Sequence, residues 1–265
     1  MSGVRAWTLA DGSFREGAEV PVTDRGFRYG MSVFETLAVR DGRMLFLRQH
    51  LAALESACTF AGFPADGADA LLELEGLSDG LLRIYVTAGD GTPTAAAINH
   101  RTFAIFEPAE FPGPNEISRG ARITVARTPI IPVLGGWKTG NYWQNVKALI
   151  VAHENGFDET LILNIEKIVI SAAMANTFFL IDGVLRTPAA QTGARRGVVR
   201  EWVMETAPVE ETLLSLEDAN EAEECFLTNS RLGVMPVSEI GHRRFPSRAT
   251  GEALATLYRE KILRM

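Results

Sequence analysis

Cysteine is scarce in this chain: there are two in 265 residues, Cys58 and Cys225, and neither stands in a CxxC pair. A chain of this length can bury a core without disulfide staples, so both are expected to be reduced, buried thiols. Histidine is nearly as rare. His50, His100, His153 and His242 are scattered without HExxH or HxH spacing, which gives a metal site no support. The strings GxSxG, GxxxxGK[ST] and GxGxxG are missing, removing the common hydrolase, nucleotide-phosphate and dinucleotide signatures. Lys and Arg number 26 against 33 Asp and Glu, a formal charge of −7, and no basic run marks a nucleic-acid footprint. No stretch approaches the roughly 18 uninterrupted apolar residues of a membrane span, and the first residues lack a basic, apolar leader. The expectation is a soluble, cytoplasmic protein with no nucleic-acid or membrane partner. Internal repeats and low-complexity tracts are missing too, which excludes a solenoid.

What is present is an apolar content of 46%, ample for one large or two modest cores. Leu37-Ala38-Val39-Arg40 and Met44-Leu45-Phe46-Leu47 flank Asp41-Gly42, a hairpin signal. Leu51, Leu54 and Cys58 recur at helical spacing up to Gly62. Residues 81–86 and 102–106 read as strands. Pro108, Pro112, Gly113 and Pro114 then mark a boundary expected to sustain neither ladder nor helix.

Beyond it, 123–125 reads as a strand and 142–154 as a helix with Trp143, Val146 and Ile150 on one face, closed by Gly156. Strands return at 160–163 and around 168–181, with a turn at Asp182-Gly183. Ser215-Leu216-Glu217-Asp218 has the form of a capping box, 224–228 reads as a strand and 252–263 as a final amphipathic helix. Strands and helices mix without βαβ alternation, so an α+β fold of two domains is expected.

The segment Gly135-Gly136-Trp137-Lys138-Thr139-Gly140-Asn141-Tyr142 sets a lysine among glycines and aromatics just before a helix. Local physics leaves two roles open for Lys138: a solvated or capping cation, or a partly desolvated amine serving as a Schiff-base nucleophile.

A wider pattern bears on that choice. Val22-Thr23-Asp24-Arg25-Gly26-Phe27-Arg28-Tyr29-Gly30-Met31-Ser32-Val33-Phe34-Glu35-Thr36 resembles the opening of class IV aminotransferases. The likeness continues through Lys138-Thr139-Gly140-Asn141-Tyr142, Gly156-Phe157-Asp158-Glu159, Ala175-Asn176-Thr177-Phe178, and Phe226-Leu227-Thr228-Asn229-Ser230 leading to Met235-Pro236-Val237. The resemblance implies the fold-type IV architecture: a smaller N-terminal α/β domain (1–109), a linker (110–117), and a C-terminal cofactor-binding domain (118–265), β-barrel-like with helices. It implies pyridoxal 5′-phosphate held as a Schiff base by Lys138, which then shuttles the substrate proton. It also implies a homodimer in which the 25–30 loop closes over the neighbouring pocket.

By the same resemblance Tyr142 contacts the cofactor's phenolic oxygen, and Asn229 with Ser230 contacts its phosphate. Three matched positions depart from the family's pattern. Ser171 stands where a glutamate pairs with the pyridine nitrogen, so a hydroxyl faces a largely neutral ring. Ala53, within His50-Leu51-Ala52-Ala53-Leu54, stands where an arginine is expected. Gly197-Val198-Val199-Arg200 keeps backbone N–H donors at Val198 and Val199 but lacks the family's hydroxyl. The missing counter-charge is therefore expected from Arg48, Arg195, Arg200 or Arg231.

A neutral ring is a weaker electron sink and favours elimination over transamination. The 226–237 run resembles that of aminodeoxychorismate lyases, and with the neutral ring this resemblance implies such a lyase acting on a small amino-group substrate. The alternatives are a branched-chain or other transaminase, and a non-catalytic homologue binding cofactor weakly. Gly91-Thr92-Pro93-Thr94-Ala95-Ala96 offers no arginine and histidine pair of the kind found in D-amino acid enzymes.

Overall fold

Turn chemistry lays out the first sheet. In the computed structural model, which describes residues 3–65, 67–97 and 99–264, Asp11-Gly12 and Asp41-Gly42 take positive φ at both positions. That is the conformation a tight two-residue hairpin demands. The first joins β1 (Arg5–Ala10) to β2 (Ser13–Glu16). After α1 (Arg25–Tyr29), the second joins β3 (Ser32–Arg40) to β4 (Arg43–Met44). Next come α2 (Leu47–Ala61), ended by left-handed Gly62, then β5 (Gly80–Thr87) and β6 (Arg101–Pro108). The six strands order as β2-β1-β6-β5-β3-β4, each pair antiparallel.

Strand alternation gives this sheet two faces. Val33, Leu37 and Val39 share one with Leu82, Ile84 and Val86 of β5, and α2 covers it with Leu54, Ala57 and Cys58. Glu35 lies on that apolar face. His50 of α2 satisfies it, with Nδ1 2.9 Å from Oε2 and both side chains buried. The opposite face carries Ser32, Phe34 and Thr36.

The chain divides into two compact units, Met1–Glu110 with Trp137–Asn141, and Phe111–Gly136 with Tyr142–Met265. The lysine segment thus belongs with the first unit, not with the 118–265 block to which the sequence reading assigned it. The proline-rich boundary also holds a helix, α3 (Pro114–Arg119), with proline at its start. The first helical turn has no use for the N–H that proline lacks, so Pro114 opens the helix rather than forbidding it.

The second unit continues with β7 (Ala121–Val125), α4 (Trp143–Glu154), β8 (Glu159–Leu163), β9 (Val169–Ala172), β10 (Asn176–Ile181) and β11 (Val184–Pro188). Then follow α5 (Val198–Thr206), β12 (Glu210–Thr212), α6 (Leu216–Glu221), β13 (Glu224–Asn229), β14 (Gly233–Ile240), β15 (Arg243–Arg244) and α7 (Ala249–Leu263). The sheet orders as β12-β11-β10-β13-β14-β7-β8-β9, with β15 pairing β14. β7 and β8 run parallel, which demands a crossover, and α4 lies in it. The Ser215 capping box is present at α6.

One expected face is reversed. Trp143 and Ile150 of α4 are 71% and 39% exposed, whereas Ala148 and Leu149 pack on Ile162 and Ile170, and Ala152 is buried. Asn145, Ala148, Leu149 and Ala152 fall at i, i+3, i+4 and i+7, so the inward stripe is the smaller, less hydrophobic one.

Candidate active site

In the first unit the lysine is placed by strand pairing. β4 covers β3 only at Val39 and Arg40, which leaves the edge near Ser32 open. The later segment fills it: Phe34 N–H donates to the Lys138 carbonyl at 2.9 Å, Gly140 N–H donates to the Ser32 carbonyl at 2.9 Å, and Val33 bridges Thr139. Position 140 is crowded: a Cβ there would collide with Ser32 Oγ, so any larger residue must displace that hydroxyl. Trp137 stacks on Phe60 with ring centroids 4.9 Å apart, and Asn141 Nδ2 donates to the Gly30 carbonyl at 3.1 Å. The segment is therefore pinned at both ends.

Its side chain is pinned as well. Lys138 Nζ donates to Thr36 Oγ1 at 3.0 Å and lies 4.6 Å from the centroid of the Phe34 ring. Phe34 is itself held by a cross-strand stack on Tyr85, with centroids 4.8 Å apart. Thr36 and Phe34 lie two residues apart on one strand face, a signal visible in the sequence whose meaning depended on a partner 102 residues away.

In the second unit two of the candidate cofactor residues, Ser171 and Asn229, stand at one bend. Ser171 is half-buried on β9, paired with Ile162. The chain then turns at 173–175 into Asn176, where Ala172 N–H donates to the Ala175 carbonyl at 2.8 Å. Asn145 Nδ2 donates to the Ala173 carbonyl at 2.9 Å and Asn229 Nδ2 to the Met174 carbonyl at 3.0 Å. The Asn229 Oδ1 accepts from Arg231 and Leu232 N–H, so both ends of this amide hold backbone. Ser230 follows in the turn after β13, half-buried. Tyr142 is half-buried immediately before α4, its carbonyl accepting from Val146 N–H at 3.1 Å.

Glu159 completes the bend. This buried carboxylate accepts N–H bonds from Thr160 at 2.8 Å, Ala173 at 3.0 Å and Met174 at 2.6 Å. Burial pushes its pKa up to about 7, more than these three bonds pull it down. The sequence placed it in the family-like run Gly156-Phe157-Asp158-Glu159, without indicating what it would hold.

Asn176 Nδ2 donates to the Arg195 carbonyl at 2.6 Å, tying the same bend to the start of α5. There Val198 and Val199 are buried, and Gly197 provides no side-chain cap. A Cβ on Gly197 would come 2.4 Å from Asn176 Oδ1 and 3.9 Å from Arg195 Nη1. A larger residue there would have to displace the Asn176 amide, and a guanidinium stands beside the uncapped first turn of α5, an arrangement suited to an anion. Arg200 is engaged elsewhere: it is 1% exposed, donates to Glu201 Oε1 at 2.6 Å and to the Pro188 carbonyl, and pairs with Glu211. The expectation that Arg200 supplies a phosphate counter-charge is corrected on that ground. Arg231 and Arg48 are exposed, and Ala53 is half-buried on α2. Taken unit by unit, the first offers a pinned amine suited to an aldehyde, and the second an uncapped helix start beside an arginine, suited to a phosphate. Among the described residues no group of three or more His, Cys, Asp or Glu suits a metal.

Compared with known proteins, the chain matches the amino-transferase class IV family over residues 32–240. It is similar to the aminodeoxychorismate lyase of Vibrio harveyi, 29% identical over 239 residues that cover 83% of this chain and 87% of that protein. It is also similar to the branched-chain-amino-acid aminotransferase of Escherichia coli strain K12, 26% identical with 85% and 81% covered. Among solved structures, 4-amino-4-deoxychorismate lyase from Pseudomonas aeruginosa aligns with a TM-score of 0.85 at 30% identity, covering 97% of this chain and 99% of that one.

Proposed function

Because the chain belongs to the class IV aminotransferases, pyridoxal 5′-phosphate enzymes of fold-type IV, we propose that it cleaves 4-amino-4-deoxychorismate to 4-aminobenzoate and pyruvate. The observation that carries this reading is the pinned Lys138 amine, taken with the likeness to lyases over nearly the whole chain. When bound, the cofactor supplies an aldehyde for an amine and a conjugated ring that takes up an electron pair.

Lys138 Nζ is the amine that holds the cofactor and then the base that takes the proton from the amine-bearing carbon of the substrate. As that proton leaves, the C–O bond to the enolpyruvyl group breaks. The pyruvate enolate that leaves with the C–O electron pair takes up a proton at carbon, giving pyruvate, and the remaining ring becomes aromatic. Thr36 and Phe34 aim Nζ. Ser171 offers a hydroxyl to the pyridine nitrogen, which suits elimination from a neutral ring. Tyr142 faces the phenolic oxygen. The phosphate is taken by the N–H groups of Val198 and Val199 with Ser230 and the Asn229 turn, and by Arg195 as the replacement counter-charge. In solution the enzyme is a homodimer.

A second reading, a branched-chain transaminase, is favoured by the Escherichia coli relative. One experiment separates the two. Purified protein loaded with cofactor is given 4-amino-4-deoxychorismate, or valine or isoleucine with 2-oxoglutarate. Equimolar 4-aminobenzoate and pyruvate support the lyase; glutamate formation without pyruvate release overturns it. Failure to take up cofactor overturns both and leaves the non-catalytic homologue.

A further inference from the structure

The bend between Ser171 and Asn176 is gripped from three elements at once. Glu159 at the start of β8 takes the N–H groups of Ala173 and Met174, Asn145 of α4 takes the Ala173 carbonyl by donation, and Asn229 at the end of β13 takes the Met174 carbonyl. Only Glu159 accepts, and it does so with both oxygens: Oε2 receives Thr160 and Ala173, Oε1 receives Met174. The side chain is 5% exposed and sits at the foot of β8, so it spans from one strand to the turn beyond the next. Two residues before the first gripped N–H stands Ser171. Two after the last stands Asn176, whose amide holds the approach to α5.

We propose that Glu159 is the positioning residue of the cofactor site: by fixing the 173–175 bend it sets the Ser171 hydroxyl on one side and the α5 start on the other. This rests on the reading above that Ser171 and α5 face the cofactor. The argument is geometric. A carboxylate receiving three N–H bonds cannot be matched by an amide, because one end of glutamine carries donors and would point them at a backbone donor. In Glu159→Gln the bend must shift away from one side of that contact, and both dependants move with it.

A loss of general stability would mimic this, and the molecule supplies a matched control. Glu224 is likewise a buried carboxylate, accepting from Thr250 N–H at 2.9 Å, Gly251 N–H at 3.4 Å and Ser247 Oγ at 2.7 Å, but it serves the start of α7. The test compares wild type, Glu159→Gln and Glu224→Gln in three measurements: apo-protein melting, pyridoxal 5′-phosphate affinity by absorbance titration, and the pH dependence of the bound cofactor's visible absorbance. Both variants are expected to melt earlier. Only Glu159→Gln is expected to weaken cofactor binding, about tenfold as for a lost hydrogen bond to a charged group, and to move the absorbance transition.

Equal affinity and spectra in the two variants overturn the proposal, as does a Glu159→Gln protein that binds like wild type. If Glu159→Gln does not fold, Asn145→Ala decides, since it releases the same bend from α4. A smaller shift in the same spectrum supports positioning, and an unchanged spectrum overturns it. Wild-type protein that takes up no cofactor overturns the functional reading itself, a result distinct from all of these.

Discussion

Replacing Glu159 by glutamine also makes a thermodynamic prediction that needs no cofactor. The carboxyl has an ordinary pKa of 4.5 and is pushed up to about 7 by burial in the folded protein. Between those values the folded state holds a proton that the unfolded chain has already released. The slope of unfolding free energy with pH is then negative, so this residue's contribution falls as pH rises through the window and levels off above it. One pKa unit is worth about 1.4 kcal/mol, so the contribution drops by about 2.5 kcal/mol between about pH 5 and about pH 8. Glutamine does not titrate. Urea unfolding of wild type and Glu159→Gln across that range, with the two free energies subtracted, cancels other titrating groups. The wild type should lose its advantage progressively toward alkaline pH. A difference flat across the range refutes the view that desolvation outweighs the three N–H bonds.

Other substitutions test the remaining parts. Thr36→Val removes the acceptor of Lys138 Nζ while keeping shape; it should cut turnover with cofactor content nearly unchanged, at about 1 kcal/mol in the barrier, measured as kcat. Arg195→Ala should weaken pyridoxal 5′-phosphate binding, because its charge stands beside the α5 start. Unchanged affinity would remove it as the counter-charge. Arg200→Ala should do the reverse, costing about 2 kcal/mol of stability in urea unfolding by stranding Glu211 and Glu201, with binding lost only as the fold is lost. Gly197→Ala should lower cofactor affinity, since its methyl would meet Asn176 Oδ1 at 2.4 Å and displace the bend.

Local chemistry was readable from residue order. Asp41-Gly42 and Asp182-Gly183 turn where two adjacent positive φ values are needed, Gly62 closes α2 in the left-handed region, and Ser215 with Asp218 caps α6. These depend on neighbours a few residues away. What depended on distant partners was not readable. Trp143 and Ile150 looked like the inner face of α4 because hydrophobicity does not say which surface covers it, and the sheet chose Ala148, Leu149 and Ala152. Pro114 looked like a break because its ring forbids a helix interior, although it suits a first turn. In the site, the glycine-rich setting singled out Lys138, but Thr36 and Phe34 as its supports followed only from strand pairing. Glu159 stood in the family-like Gly156-Phe157-Asp158-Glu159 run, but its role depended on backbone donors 14 and 15 residues further on.

The brevity of β4 has a consequence for the order in which the molecule assembles. Because it leaves the edge of β3 uncovered at Ser32 and Phe34, the first sheet is finished only by Lys138 and Gly140, a strand pairing that closes a loop of about a hundred residues. Closing so long a loop is entropically costly and slow compared with the hairpins around it. During synthesis, a chain released only as far as residue 110 therefore carries an unpaired strand edge, open to other chains, and no reactive amine. The event that seals this edge is the same one that sets the lysine in place, so completion of the fold and readiness for chemistry coincide.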